Sequence, residues 1–315
     1  MPNLFRFVTV LGASLCCATA AAQGAAPACA GQIIRDAVGP VCVPKVARRV
    51  VTIEWTYTEN LLALGLQPVA VAQIKDFGEW VKTPLPLAAG VRELGTRGQV
   101  NLELLATLKP DLIIDATDNL QRDALSRVAP TLTFNPYPKG GKGYYQEMRD
   151  TLLLMGQATG RTAQARQVLA RLDAAVAQGK RDLNASGRAG ETYVLSQGFD
   201  LNKPVVRLFG PNSWGGEVLA QVGLRNAWNE KTDEYGFQAL SLEGLTTLKT
   251  QNFFFVAQRN DDVFAAAGAQ PVWNRLDFVR RQRAYRLPAN AWLFGGPYSA
   301  EGLIRAAVGA MTAKP

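Results

Sequence analysis

The sequence predicts an α/β protein in which two blocks of alternating strands and helices flank one long helix. Short apolar runs typical of buried strands alternate with helical patterns on both sides of Arg161–Asn184. That stretch is rich in good helix formers, and its apolar residues fall on one helical stripe. They are Ala165, Val168, Leu169, Leu172, Ala175 and Val176. Two architectures fit these patterns: two lobes joined by the helix, or one large domain in which the helix covers a sheet.

The first 22 residues predict a secretory signal peptide that is not part of the fold. Arg6 is the only charged residue before Arg35, an apolar run follows it, and the alanines at 20–22 supply small residues before Gln23. The run is too short and too rich in alanine to predict a transmembrane span. We therefore expect cleavage after Ala22 and export of the mature chain.

The four cysteines divide between the signal peptide and the mature chain. Cys16 and Cys17 lie in the signal peptide, and Leu15 occupies the position where a lipid-attachment site would have a small residue. We therefore expect a soluble periplasmic protein and not a lipoprotein. Cys29 and Cys42 remain, and an even pair in an exported protein predicts a disulfide.

The chain contains no histidine, which excludes several classes of chemistry. Serine and cysteine nucleophile systems activated by histidine, histidine-bearing zinc sites and haem ligation by histidine all require this residue. No nucleophile elbow, dinucleotide-binding turn or phosphate loop occurs either. The net charge of +8 falls to +7 when the signal peptide is removed, and the basic residues form no block. Nucleic-acid binding is therefore not indicated.

Local patterns assign the elements in chain order. Strands are predicted at residues 49–53, 68–72, 111–115, 131–135, 192–196, 205–209, 252–257 and 284–287. Helices are predicted up to Leu64, at 102–108, 120–128, 144–156, 214–222, 240–248 and 301–311. Thr56 and Glu59 have capping-box spacing, so Thr56 is the predicted N-cap of the first helix. Residues 75–86, which carry Phe77 and Trp80, are predicted as a loop.

Aromatic residues gather where predicted strands end, and open α/β sheets bind ligands at the carboxyl ends of strands. The main ones are Trp55, Trp80, Trp214 and Trp292. Because loops are exposed, these positions predict an aromatic-walled cleft between facing lobes. Arg97 lies between glycines, and its planar fork of donors suits an anionic or oxygen-rich ligand. The alternatives are tryptophans that fill the core and a solvated arginine.

Four segments of the sequence resemble periplasmic iron–siderophore-binding proteins of ABC importers, in particular the branch that binds ferric hydroxamates. They are RRVVTIEWTYTENLLALGLQPVAVA, EWVKTPLPL, LGTRGQVNLELLATLKPDLII and LFGPNSWGGEVLAQVGLRNAW. The resemblance runs from about Ile33 to the C-terminal helix. The NLELLATLKPDLII part marks the broad superfamily, which includes cobalamin and haem binders, while the EW…EWV, LGTR and FGPNS parts are more specific to siderophore carriers.

The resemblance implies two Rossmann-like lobes joined by a single long helix, the class III periplasmic binding protein fold. The divisions are then a signal peptide at 1–22, an N-terminal lobe at 23–143, a linking helical region at 144–186 and a C-terminal lobe at 187–315. It also implies a monomer without enzyme activity, cofactor or protein-bound metal. Such a protein captures a ferric siderophore, in which the organic shell holds the iron, and delivers it to an inner-membrane ABC permease.

Roles in the family carry over to individual residues. Arg97 matches the arginine that contacts the iron-coordinating oxygens, and Trp80, Trp292 and Tyr235 match aromatic residues of the cleft. We add three candidates at its border, which are Trp55, Trp214 and Arg207. Asp123 and Glu243 match the acidic residues, one on each lobe, that meet arginine pockets of the permease.

One departure concerns the ligand. Asp118 falls near the position where the ferric hydroxamate binder has a tyrosine beside its arginine. Together with Arg207 this change favours a more anionic, carboxylate-rich siderophore. The alternatives are a carrier of cobalamin or another organometallic ligand, an exported α/β enzyme, and a siderophore-sensing adaptor.

Overall fold

The computed structural model describes residues 29–138, 143–199, 205–257, 262–266 and 270–313 of the chain. The predicted signal peptide lies outside the described residues. Within the described part, none of the helices combines the length and the apolar character that a bilayer span requires.

The N-terminal lobe is built on a parallel sheet. Its elements are β1 (Gln32–Arg35), β2 (Pro40–Val43), β3 (Val50–Thr52), α1 (Trp55–Ala63), β4 (Ala70–Val71), α2 (Ile74–Trp80), β5 (Arg92–Glu93), β6 (Gly95–Thr96), β7 (Gln99–Val100), α3 (Leu102–Thr107), β8 (Leu112–Ala116), α4 (Arg122–Val128) and β9 (Thr131–Phe134). The strand order is β5-β4-β3-β8-β9, and every neighbouring pair is parallel. A disulfide joins Cys29 to Cys42 on the β1–β2 hairpin, which confirms the predicted pair.

Two helices follow, and the second is the long helix that the sequence predicts. They are α5 (Tyr144–Ala158) and α6 (Thr162–Ala185). Ala165, Val168 and Leu169 of α6 pack into the core of the N-terminal lobe. Leu172 and Leu183, farther along the same stripe, pack into the core of the C-terminal lobe. The structure therefore favours two lobes joined by this helix over one large domain.

The C-terminal lobe has a mixed sheet. Its elements are β10 (Thr192–Phe199), β11 (Val205–Phe209), α7 (Trp214–Ala220), β12 (Arg225–Asn226), β13 (Phe237–Leu240), a 3-10 helix (Leu242–Thr247), β14 (Asn252–Ala257), α8 (Gln270–Trp273), α9 (Asp277–Arg280), β15 (Ala284–Arg286) and α10 (Pro297–Thr312). The order is β13-β11-β10-β14-β15, with β12 also paired to β10. The pairs of β11 with β10 and β13 are antiparallel, and β14 is parallel to β10 and β15.

Three local predictions are wrong. The predicted loop at 75–86 begins as helix α2, which buries Phe77. The predicted helix at 240–248 is the end of β13 followed by the 3-10 helix, because Leu240 pairs with Val206 in the sheet. The N-cap of α1 is Glu54, whose Oε1 accepts a hydrogen bond from the Trp55 amide at 2.9 Å. Thr56 lies inside α1.

Candidate ligand-binding cleft

A cavity of about 370 Å³ lies between the lobes, at the carboxyl ends of the central strands β3 and β8. The residues that line it are Ile53, Glu54, Gln73, Arg97, Gly98, Asp115, Ala116, Asp118, Asn119 and Tyr137 from the N-terminal side and Tyr235 from the C-terminal lobe. A second cavity of about 340 Å³ shares Asp118, Tyr137 and Tyr235 with the first. The location agrees with the rule that parallel sheets bind ligands beyond their carboxyl edge.

Arg97 lies in the turn between β6 and β7 and is held on three sides. Its Nη1 donates to both carboxylate oxygens of Glu54, at 3.0 and 3.1 Å. Its Nε donates to Oε1 of Gln73 at 3.3 Å. Its guanidinium carbon lies 4.0 Å from the centre of the Trp55 ring. Nη2 has no hydrogen-bond partner among the described residues, so this edge of the guanidinium is available to a ligand.

Two carboxyl groups of the cavity have raised pKa values. Burial raises the pKa of Glu54, and the positive charge of Arg97 opposes that shift. Burial also raises the pKa of Asp115 to about 7, although hydrogen bonds from the Ala116 amide and the Asn119 side chain oppose it. The Oδ2 atom of Asp115 has no hydrogen-bond partner in the described part of the chain. Burial therefore disfavours the ionised forms of both carboxyl groups, and Arg97 and the hydrogen bonds compensate for this only in part.

A row of aromatic rings crosses from one lobe to the other beside these polar groups. In spatial order it contains Trp80, Trp292, Phe294, Tyr137 and Tyr235. Neighbouring ring centres are 6.4, 5.3, 6.1 and 4.8 Å apart, and each pair has an edge-to-face arrangement. Trp55 joins the row through Trp292, at 5.3 Å. Of these rings Tyr137 and Tyr235 line both cavities, so an organic ligand there would meet aromatic rings close to a guanidinium.

The structure brings most of the predicted site residues together. Arg97 and Tyr235 line the cavity, and Trp80 lies partly buried in the aromatic row but lines neither cavity. The expectation that tryptophans at strand ends are exposed is wrong, because Trp55 is 4% and Trp292 is 8% exposed. Both are packed beneath the cleft surface, where Trp55 supports the Arg97 guanidinium from below.

Trp214 lies away from the cleft, whereas Arg207 lies close enough to Tyr137 to interact with it electrostatically. Trp214 is 3% exposed and belongs to the core of the C-terminal lobe. The Arg207 guanidinium carbon lies 4.5 Å from the Phe237 ring centre, and its Nη1 donates to Gln197 at 3.2 Å. Neither residue lines the two cavities described above.

Most of the residues that line the cavity were not predicted as site residues, and three of those missed have ionisable side chains. Glu54 and Asp115 lie at the carboxyl ends of the neighbouring strands β3 and β8, and Tyr137 follows β9. An acidic residue directly after, or at the end of, a buried apolar strand is the signal that points to the first two. Among the described residues, no group of three histidine, cysteine, aspartate or glutamate side chains is arranged to hold a metal ion.

The two predicted docking residues are exposed and lie on different lobes. Asp123 is in the first turn of α4, and Glu243 is in the first turn of the 3-10 helix. A hydrogen bond from the Ser241 side chain lowers the pKa of Glu243.

The sequence is similar to those of two binding proteins of Escherichia coli K12. It is 32% identical over 265 residues to the iron(3+)-hydroxamate-binding protein FhuD, a match that covers 82% of this chain and 84% of FhuD. It is 24% identical over 265 residues to the Fe(3+) dicitrate-binding periplasmic protein FecB, and this match covers 82% of the present chain and 83% of FecB.

The fold is similar to that of a solved siderophore-binding protein, FhuD from Vibrio cholerae with bound Fe3+–Desferal. The TM-score is 0.75 at 26% sequence identity, and the match covers 84% of this chain and 98% of that protein. Residues 50–291 match the periplasmic binding protein family. Sequence, lobe architecture and cleft thus agree, and the chain belongs to the periplasmic binding protein family.

Proposed function

We propose that this chain captures a ferric siderophore in the cleft between its lobes and delivers it to an inner-membrane ABC permease. The observation that carries the proposal is Arg97, fixed by Glu54 and Trp55 at the edge of an aromatic row. The oxygens that coordinate iron are hydrogen-bond acceptors, and the rest of a siderophore is largely organic. A guanidinium beside aromatic rings complements both parts.

The relatives support the same ligand class. By their names, FhuD and FecB of Escherichia coli bind ferric hydroxamate and ferric dicitrate. The solved relative from Vibrio cholerae holds an iron–Desferal complex. These relatives favour a ferric siderophore over cobalamin, and they belong to transport systems rather than to enzyme families.

In this function the protein recognises the siderophore and leaves iron coordination to it. The free Nη2 edge of Arg97 donates to the iron-coordinating oxygens, since a planar guanidinium can reach two acceptors at once. Trp80, Tyr137 and Tyr235 contact the organic shell. Trp55 and Trp292 act from beneath as a rigid support for these contacts.

The remaining steps concern location and delivery. The chain is exported, loses residues 1–22 and acts as a monomer in the periplasm. Asp123 and Glu243 then offer one carboxylate from each lobe to basic pockets of the permease, a charge-assisted contact that brings the loaded cleft over the transport path.

A titration of intrinsic tryptophan fluorescence tests the ligand class. The panel contains a ferric hydroxamate, ferric dicitrate, a ferric catecholate, the three iron-free ligands and cobalamin. We expect saturable quenching at sub-micromolar concentration by at least one ferric complex. Because cobalamin absorbs strongly, calorimetry checks any response to it. Binding of cobalamin alone, or of no ligand by a folded protein, would refute the proposal.

A further inference from the structure

The cleft contains more acidic than basic side chains. Of the acidic and basic residues that the structure describes along the larger cavity, three are acids (Glu54, Asp115 and Asp118) and one is a base, Arg97. The adjoining cavity adds Glu234 and no base from the described part of the chain. The charge of Arg97 is already paired with Glu54. A ligand with several free carboxylates would therefore meet more carboxyl groups than cationic groups along these two cavities.

Asp115 is the member of this acidic cluster (Glu54, Asp115 and Asp118) that points most clearly to a ligand. It is 1% exposed, yet it lines the cavity. Its Oδ2 accepts no hydrogen bond from any residue that the structure describes. Leaving a buried acceptor unsatisfied is unfavourable. A hydrogen-bond donor on the ligand would satisfy this oxygen, and a positively charged donor would also offset the local negative charge.

A metal ion is a poor candidate for this donor. The described residues include no group of three acidic, cysteine or histidine side chains with metal-binding geometry. An ammonium group fits better, because its three N–H donors can be shared among several oxygens.

We infer that the cleft selects ferric siderophores whose organic shell carries an ammonium group, and that the acidic cluster receives that group. The inference rests on the proposed function and names the ligand class within it. It departs from the expectation of a carboxylate-rich siderophore, which rested on Asp118 together with Arg207. Arg207 lies against Phe237 and Gln197 and lines neither cavity, and it interacts electrostatically with Tyr137 at their edge.

A matched pair of ligands tests the inference by calorimetry. Ferric Desferal is a trishydroxamate with a free primary ammonium, and N-acetylation removes that charge without changing the iron coordination. We expect acetylation to weaken binding to the mature protein by tenfold or more, and we expect ferric dicitrate to bind more weakly than ferric Desferal.

Variants assign the effect to the acidic cluster. In Asp115→Asn, which keeps the shape of the side chain, we expect the acetylation effect to shrink to less than threefold. If Asp115→Asn fails to fold, Asp118→Asn replaces it, because Asp118 is exposed and its substitution should not disturb the core. In this variant we expect a smaller reduction of the acetylation effect. Asp173→Asn on α6 removes one acidic charge far from the cleft and should leave the tenfold effect unchanged.

The outcomes separate this inference from the proposed function. Equal binding of both Desferal forms, or an unchanged acetylation effect in Asp115→Asn and Asp118→Asn, overturns the inference while ferric-siderophore binding stands. Tighter binding of ferric dicitrate than of ferric Desferal also overturns the inference alone. Failure of every ferric complex to bind a folded protein overturns both.

Discussion

A single nitrogen of Arg97, Nη1, donates to both carboxylate oxygens of Glu54, at 3.0 and 3.1 Å, across 43 positions of sequence. The same carboxylate accepts a hydrogen bond from the Trp55 amide and thereby begins helix α1. The start of a structural helix and the orientation of the cleft arginine therefore depend on one side chain. The arginine is positioned before any ligand arrives, which lowers the entropy lost on binding.

We expect Arg97→Ala to raise the dissociation constant for the ferric siderophore by roughly 10- to 100-fold. Hydrogen bonds to a charged group are typically worth about 1.5–3 kcal/mol. Arg97→Lys keeps the charge but loses the planar fork, so its affinity should fall between those of Ala and wild type. Calorimetry measures the binding, and circular dichroism checks that the variants are folded. An unchanged dissociation constant in Arg97→Ala would remove this residue from the site.

The two groups of tryptophans should respond differently to the ligand. Trp80 lies in the aromatic row at the cleft, whereas Trp228 is packed in a core of the C-terminal lobe. Because quenching by a coloured ferric complex falls steeply with distance, Trp80→Phe should remove more of the fluorescence change than Trp228→Phe. Titration of both variants at equal concentration measures this. Equal losses would mean that the ligand does not bind near Trp80.

Periodicity was enough to predict α6, since its stripe of Ala165, Val168 and Leu172 is the one that both cores bury. Predictions from short-range sequence patterns were wrong where a residue far away in the sequence determines what a side chain contacts. Thr56 and Glu59 have capping-box spacing, but both side chains contact the segment 294–299 instead. The Glu54–Arg97 pair was missed for the same reason. No local pattern indicates which acid a loop arginine will contact 43 positions away.

Glu59 connects the lobes and should make stability depend on pH. This buried residue of α1 accepts hydrogen bonds from the backbone amide and hydroxyl of Ser299 on α10, at 2.8 and 2.5 Å. Thr56, one turn earlier, donates to the Phe294 carbonyl oxygen at 2.6 Å. Burial raises the pKa of Glu59 from 4.5 to about 7, although the hydrogen bonds from Ser299, Gly296 and Tyr298 oppose this shift.

Because the pKa of Glu59 is higher in the folded protein, the folded state binds the carboxyl proton of Glu59 more tightly than the unfolded state does. The contribution of Glu59 to the free energy of unfolding is complete below pH 4.5 and is lost as the pH rises towards 7. The free energy of unfolding then falls by roughly 3 kcal/mol. Asp115, whose pKa is also about 7, contributes in the same direction. Denaturant unfolding between pH 4.5 and 7.5 should show a shallower decline in Glu59→Gln than in wild type. The exposed control Glu230→Gln should follow wild type, and an unchanged slope in Glu59→Gln would contradict the assignment.

Charge reversal on the two lobes separates ligand capture from delivery. Asp123 and Glu243 are exposed and lie outside both cavities, so the double variant Asp123→Arg/Glu243→Arg should keep the wild-type dissociation constant. Its uptake of iron from the same siderophore, in cells that lack the native chain, should fall to background, because like charges would then face the basic pockets of the permease. Asp173→Arg/Asp182→Arg places the same change in charge on α6 and should support uptake. Normal uptake by the first variant would refute the docking role, and loss of uptake by both would attribute the defect to net charge instead of to these two positions.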